Sequence, residues 1–307
     1  MTALDEARRI LAEGGDPEPV LDRAAAGASA LERPRVVNEA ARLLHKAGRA
    51  EAAARWYGRA ADLSPRDPEP RHDRGLALLE AGEVGLAAFA QREALALDPD
   101  HAGARAQLAA ALEALGDDDG AARELAELLA RIGPQPALSA RLSGLRDAAR
   151  RAAHRSLLGS QVSRLGANAL LSSAFVRGSD GVYRAPFAEL YATGDSQGRV
   201  ERLALVFGSM DASLGRTDLS YGGTTEDDHG RRVPLDEFSA ASTVFLAQGL
   251  GIDPDRARRL LRFLLTKECG LGPHRFAGAQ VGWVIEDGAA GRRYGLFVGR
   301  RLGANDR

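Results

Sequence analysis

Apolar residues recur every three to four positions over most of the first half of the chain, as on one face of an α-helix. The pattern predicts helices over Val36–Ala47, Ala50–Leu63, Glu69–Ala81, Val84–Leu97, Ala102–Leu115 and Asp118–Ile132. Glycine or proline punctuates each run: Gly48, Gly82 and Gly116 after the first helix of each pair, Pro65, Pro99 and Pro134 after the second. Both residues stop helices, glycine at C-terminal caps and proline just beyond them. The three prolines lie about 34 residues apart, so the helices form a repeating pair. Residues 1–33 hold a looser pair, about Leu4–Ala12 and Pro17–Ala26, expected of a terminal repeat with one side in water. Beyond Pro136, Leu138, Leu142, Leu145, Ala149 and Ala152 share one face of a further helix, suited to cover the open end of the last pair.

Small residues stand where two helices must cross closely: Ala41, Gly75 and Ala109 in the first helices, Ala53, Ala87 and Ala121 in the second. Tyr57 follows one turn later in the first unit, with Gln91 a departure in the second; then come Ala60 and Ala94, replaced by Leu128 in the third. In period, punctuation and small-residue positions, residues 34–134 resemble tetratricopeptide repeats. The family's early tryptophan is replaced by Val37, Pro70 and Ala104. The resemblance implies a helical solenoid over residues 1–158 whose first helices line an inner groove that holds a peptide or protein. Carried over position by position, that groove takes Arg35, Asn38, Arg42 and His45 from the first full repeat. The second supplies Glu69, His72, Leu76 and Leu79, and the third Gly103, Ala106, Ala110 and Glu113. Partner binding is assigned to Arg35, Asn38, Arg42, His45, His72, Leu76 and Leu79. One branch of the family grips carboxylates with a lysine and asparagines. Here Asp73, Gly103 and Gln107 occupy three of those positions, and Asp73 would repel a carboxylate, so that branch is set aside.

After residue 159 the helical period gives way to glycine-rich, alternating segments. A helix is expected over Ser160–Ser172. Strands are expected at Phe187–Ala192, Arg199–Phe207, Gln280–Glu286 and Arg292–Gly299, the last two joined at Asp287-Gly288. Between the hairpins lie helices at Asp236–Gln248 and Asp253–Glu268, the second striped by Ala257, Leu260, Leu261 and Leu264. The order predicts an α+β domain over 159–307, a four-stranded antiparallel sheet covered on one side by helices. No family is recognised for this half. The fold class is therefore an all-α solenoid of tetratricopeptide type followed by an α+β domain with a small antiparallel sheet.

Composition narrows the function classes. The 307 residues carry a net charge of −1, which argues against a general nucleic-acid binder. Only Lys46 and Lys267 are lysines among 41 basic residues, so arginine clusters such as Arg146, Arg150, Arg151 and Arg155 partly reflect composition. That arginine face reads first as solvated and second as a contact for an anionic partner. One cysteine, Cys269, excludes an internal disulfide and fits a reducing, cytoplasmic setting. No apolar run is long enough to span a membrane.

Catalytic patterns are sparse. Gly270-Leu271-Gly272 follows a helix rather than a strand and is no phosphate loop. Ser209 lacks the second glycine of a nucleophile elbow. Cys269 lies close in sequence to His274, a spacing compatible with a thiolate–imidazole pair. The long segment Gly208–Pro234, expected to be a loop, carries Asp211, Asp218, Glu226, Asp227, Asp228 and His229; of these Asp227, Asp228 and His229 are hard and borderline metal ligands with no second ligand cluster. No cofactor or metal site is expected. The preferred reading is an interaction adaptor; the alternative is an enzyme, such as a hydrolase, in the second half with substrate recruited by the repeats.

Overall fold

The computed structural model describes residues 2–168, 175–185, 188–207, 224–226, 232–266, 273–288 and 291–300. It divides into two compact units, 1–112 with 124–135, and 113–123 with 136–307. The tip of the third helical hairpin, residues 113–123, thus groups with the second unit.

In the first unit α1 (Ala3–Ala12) and α2 (Glu18–Gly27) form the worn pair. The full repeats are α3 (Arg33–Lys46) with α4 (Ala50–Leu63), α5 (Glu69–Glu80) with α6 (Val84–Leu97), and α7 (Ala102–Leu115) with α8 (Asp118–Ile132). From α1 to α6 successive helices pack on one another, α6 excepted only as the end of that run. Helix α3 starts at Arg33, ahead of the expected Val36, because Pro34 sits in its first turn with φ already set. The turn after α3 closes with the Arg49 amide donating to the Leu44 carbonyl at 3.0 Å, and the turn after α5 repeats this from Glu83 to Leu78 at 2.8 Å. Gly48 and Gly82 take φ of +72° and +80° to allow it, a conformation costly for any residue with a Cβ.

Every small residue assigned to a helix crossing is buried: Ala41, Ala53, Ala87, Ala109 and Ala121 are each fully enclosed. Gly75 has a further reason to be small. A Cβ there would lie 2.1 Å from the Gln91 amide nitrogen. Gln91, the departure from an aromatic at its position, is fully buried and bonded. Its amide donates to the His72 carbonyl at 3.1 Å, and its oxygen lies 2.9 Å from His72 Nδ1. Trp56 is buried as expected; its indole N–H points to Glu18 at 3.4 Å, and Arg59 lies over its ring at 4.0 Å. Two ion pairs, Arg55–Glu18 and Arg59–Asp22 at 2.6 Å each, tie α2 to α4.

In the second unit α9 (Pro136–Arg155) buries Leu145 and Ala152, with Leu138, Leu142 and Ala149 half-buried on the same side. The forecast helix over Ser160–Ser172 is replaced, within the described residues, by a short 3-10 turn at Val162–Ala167. The cause is local pairing. Gln161 bridges to Arg199, and the Val162 amide donates to the Gly198 carbonyl at 2.9 Å, which pins the chain to a strand turn.

The sheet is wider than forecast. Seven strands run in the order β1-β2-β3-β4-β9-β8-β7, all antiparallel: β1 (Val176–Arg177), β2 (Tyr183–Ala185), β3 (Ala188–Gly194), β4 (Val200–Phe207), β7 (His274–Phe276), β8 (Ala279–Gly288) and β9 (Gly291–Arg300). The four forecast strands are the central four, and short β1, β2 and β7 extend the edges. A separate pair, β5 (Thr224–Glu226) and β6 (Arg232–Pro234), falls in the segment expected to be a loop. Register puts Leu203 and Leu205 of β4 opposite Val298 and Leu296, and these opposite Val281 and Trp283. That face meets α10 (Leu235–Leu250), where Gly249 lies within 3.2 Å (measured from an ideal Cβ) of Val298. Helix α11 (Pro254–Leu264) is capped by Asp253, which accepts from the Arg256 amide at 3.0 Å, and its expected stripe is buried. Trp283, half-buried, donates to the Leu264 carbonyl at 2.9 Å.

Asp117 anchors this unit. Its carboxylate, 1% exposed, accepts from the Gly120 amide as the N-cap of α8 and from the Ala277 amide in the β7–β8 turn, each at 2.8 Å. Arg49 and Glu83 precede the second helices of the earlier repeats at the same place and make no side-chain cap. Burial pushes the Asp117 carboxyl above its ordinary range, while the two amides pull it back.

Candidate functional site

Helices α3 and α5 bring most of the assigned residues together. Arg42 on α3 approaches Asp73 on α5 at 3.9 Å and lies beside Tyr57. His45 stands 3.0 Å from Glu80 and edge-on to Tyr57, with ring centres 5.9 Å apart. The His45–Glu80 approach is at ion-pair distance but outside hydrogen-bond geometry. Arg42 and His45, the groups of α3 that face α5, each stand beside a carboxylate there, so this stretch is not an open basic wall.

Burial sets the titration of this cluster. It raises the Asp73 carboxyl, with the Arg42 charge acting against it. Tyr57 is pushed up to about 12, first by burial and then by the Asp73 charge. The phenol therefore stays neutral beside Arg42.

Asn38 lies one turn before Arg42. Its Oδ1 is buried and has no hydrogen-bond partner among the described residues. Unpartnered buried acceptors are uncommon because each costs about 1–3 kcal/mol. Arg35 stays exposed and pairs at 3.1 Å with Glu39 of its own helix, apart from the rest.

Between α5 and α7, His72 is fixed by Gln91, and its ring centre lies 4.7 Å from that of His101. His101 caps α7 by accepting the Ala104 amide at 3.1 Å, and its other nitrogen faces Glu69 at 3.4 Å. A Cβ on Gly103 would stand 3.4 Å from the His72 ring, so glycine there keeps α7 close to α5. Leu76 and Leu79 are half-buried, and Leu79 packs on the core of the first unit. Ala106 and Ala110 are half-buried on α7. Glu113 belongs to the second unit, where Arg141 of α9 donates to it at 2.9 and 2.5 Å. Sequence reasoning missed Tyr57, Gln91 and His101 as parts of this cluster; the polar Gln91 at an aromatic position was the visible signal.

Of the catalytic candidates, Ser209, Asp211, Asp218, Asp227, Asp228, His229 and Cys269 lie outside the described residues. His274 is on β7 and stacks edge-on against Phe263, ring centres 5.6 Å apart. Among the described residues no group of three or more His, Cys, Asp or Glu is placed to hold a metal ion, and no helix is long and apolar enough to cross a membrane.

No protein-family model matches the chain, and no curated protein matches it. The helical hairpins of the first half have the tetratricopeptide-repeat fold. Among solved structures it is similar to the Arabidopsis OM64 TPR domain, at 20% identity and a TM-score of 0.36, covering 39% of this chain and 98% of that one. It is also similar to the Yersinia enterocolitica type III secretion chaperone SycD in complex with a peptide of the translocator YopD (20% identity, TM-score 0.34, 40% and 94% covered). A third is the MamA protein (14% identity, TM-score 0.40, 48% and 80% covered).

Proposed function

We propose that this protein is an adaptor that holds an extended peptide segment of a partner along α3, α5 and α7. The observation that supports it most is the pair formed by Asn38 and Arg42. A carboxamide offers a donor side and an acceptor side, matched to a peptide group; the Asn38 Oδ1 has no internal partner but is enclosed, so the side chain must turn outward to present it. One turn on, a guanidinium beside Tyr57 and Asp73 is ready for a carbonyl or carboxylate oxygen. Leu76 and Leu79 supply an apolar seat farther along. Asp73 disfavours a strongly acidic peptide, so the partner segment is mainly neutral with an apolar anchor. The second unit then acts as a recognition or regulatory module, and the single cysteine supports a cytoplasmic setting. The hydrolase alternative retains only His274 within the described residues, packed against Phe263.

Selection from a displayed peptide library tests the reading. Selected neutral peptides should bind the Asn38→Ala/Arg42→Ala variant at least about tenfold more weakly, since each lost hydrogen bond to a charged group is worth about 1.5–3 kcal/mol. Selected peptides that bind the variant as well as the parent protein would remove the groove assignment.

A further inference from the structure

The arginines of α9 have a concave neighbour within the second unit. Arg146 and Arg150, one turn apart, line a cavity of about 400 Å³ together with the first turn of α8 and the Ala277-Gly278 turn. That volume falls in the range of small-ligand pockets. We propose that this cavity binds a small organic oxyanion, a carboxylate or a phosphate ester, with its anionic head on Arg146 and Arg150 and its body against the alanine walls. The inference is independent of the peptide groove.

The charge arrangement favours an anion. Two carboxylates also line the cavity, but both are matched. Asp118, 4% exposed at its side chain, lies 3.2 Å from Arg256. Asp119 pairs with Arg123 and lies 3.6 Å from Arg275. Arg150 shares Asp147 at 3.0 Å. Among the described residues no carboxylate lies within ion-pair distance of Arg146, whose fork of donors suits an oxyanion.

The shape favours a slim body. Ala122, Ala149, Ala152 and Ala153 line it, with no aromatic or large aliphatic side chain among its lining. The floor is held firmly. Ala277 has φ of +50°, the one described non-glycine residue with positive φ, and its amide is bonded to buried Asp117. A polymer backbone would need a flat strip of cations instead, and the chain carries no net positive charge to attract one.

The test uses the full chain and three probes: inorganic phosphate, phenyl phosphate and benzoate. Binding is read from the amide resonances of Asp119, Ala277 and Gly278. The two aromatic probes should shift these resonances, and whichever binds tighter shows whether the site prefers phosphate or carboxylate. Arg146→Ala/Arg150→Ala should weaken both by about tenfold or more. Ala149→Leu, which fills the body of the cavity, should weaken the aromatic probes and spare inorganic phosphate. An unchanged melting temperature confirms that each variant is folded. No shift with any probe, or binding untouched by the arginine pair, overturns the proposal. So does duplex DNA that binds in Ala149→Leu as in the parent and is not displaced by phenyl phosphate, which would mark a solvated polyanion surface.

Discussion

The two units bury different kinds of side chain, and they should fail in opposite ways. The repeats enclose mostly alanine, among them Ala7, Ala40, Ala41, Ala53, Ala77, Ala87 and Ala90, with a few large residues such as Trp56 and Leu44. The second unit encloses Leu190, Leu203, Leu205, Leu246 and Phe276 between sheet and helices. Small residues let helices approach closely but leave no slack for an added atom. Large residues fill a core whose loss leaves a cavity. Deletions should therefore hurt the second unit most, and additions the first.

The sharpest test is Leu205→Ala. Leu205 is 1% exposed and sits in the central strand β4 beside Leu296. Its truncation should cost about 3 kcal/mol or more. Hydrogen exchange should show the loss in β4 and β9, while amides of α3–α6 keep their protection. Equal loss of protection in both regions would mean that the units do not unfold separately.

Asp117→Ala comes next, at about 2 kcal/mol or more. It removes a helix cap and the acceptor of the Ala277 amide. Asp117→Asn keeps both bonds, since both fall on one oxygen, and separates charge from geometry. The folded-state carboxyl is raised above 3.8. Its favourable contribution is complete below the ordinary value and is lost as pH rises through the raised one. The parent protein should thus gain stability relative to Asp117→Asn on acidification from neutral pH towards 3.8, measured by urea unfolding. The opposite trend would show the carboxylate to be stabilised rather than strained by its burial.

The addition test is Gly75→Ala, expected to cost about 2 kcal/mol because the new methyl would strike Gln91. In Gly75→Ala/Gln91→Ala the clash disappears. The double variant should be more stable than the sum of its single effects by about 1 kcal/mol or more, the coupling expected of residues in contact. Additive costs would mean that Gln91 moves aside freely, and the contrast between the units would weaken.

The same contrast decides what was legible in the chain. The hairpins were, because a 34-residue period repeats helix length, turn glycine and crossing alanine together. The central strands were, because Leu203, Leu205 and Phe207 alternate, as do Val281 and Trp283. Strands β1, β2 and β7, of two or three residues, are too short to show alternation. The forecast helix at Ser160 lost to Gln161–Arg199 pairing, a partner outside any local window. That Arg42 and His45 face α5 followed from repeat position alone. The roles of Gln91 and Asp117 did not, since their partners lie 19 and 160 residues away in sequence.

The smallest expected effect concerns Tyr57, which connects the alanine core to the groove. It fills the slot that Gln91 and Leu125 occupy in the next repeats, and it lies beside Arg42. Tyr57→Phe removes only the hydroxyl and no packing, a cost of about 1 kcal/mol or less at neutral pH. Above that the phenol matters through its proton. The unfolded chain releases it near 10.0 and the folded chain at about 12, so the parent protein should lose stability relative to Tyr57→Phe across that interval. Absorbance titration of the five tyrosines should show one late component that vanishes in the variant. Peptide affinity should fall less than in Asn38→Ala/Arg42→Ala, because the guanidinium remains and only the hydroxyl beside it is gone. If the late component is missing, Tyr57 is wetter than its packing implies, and Arg42 is not preset for a partner.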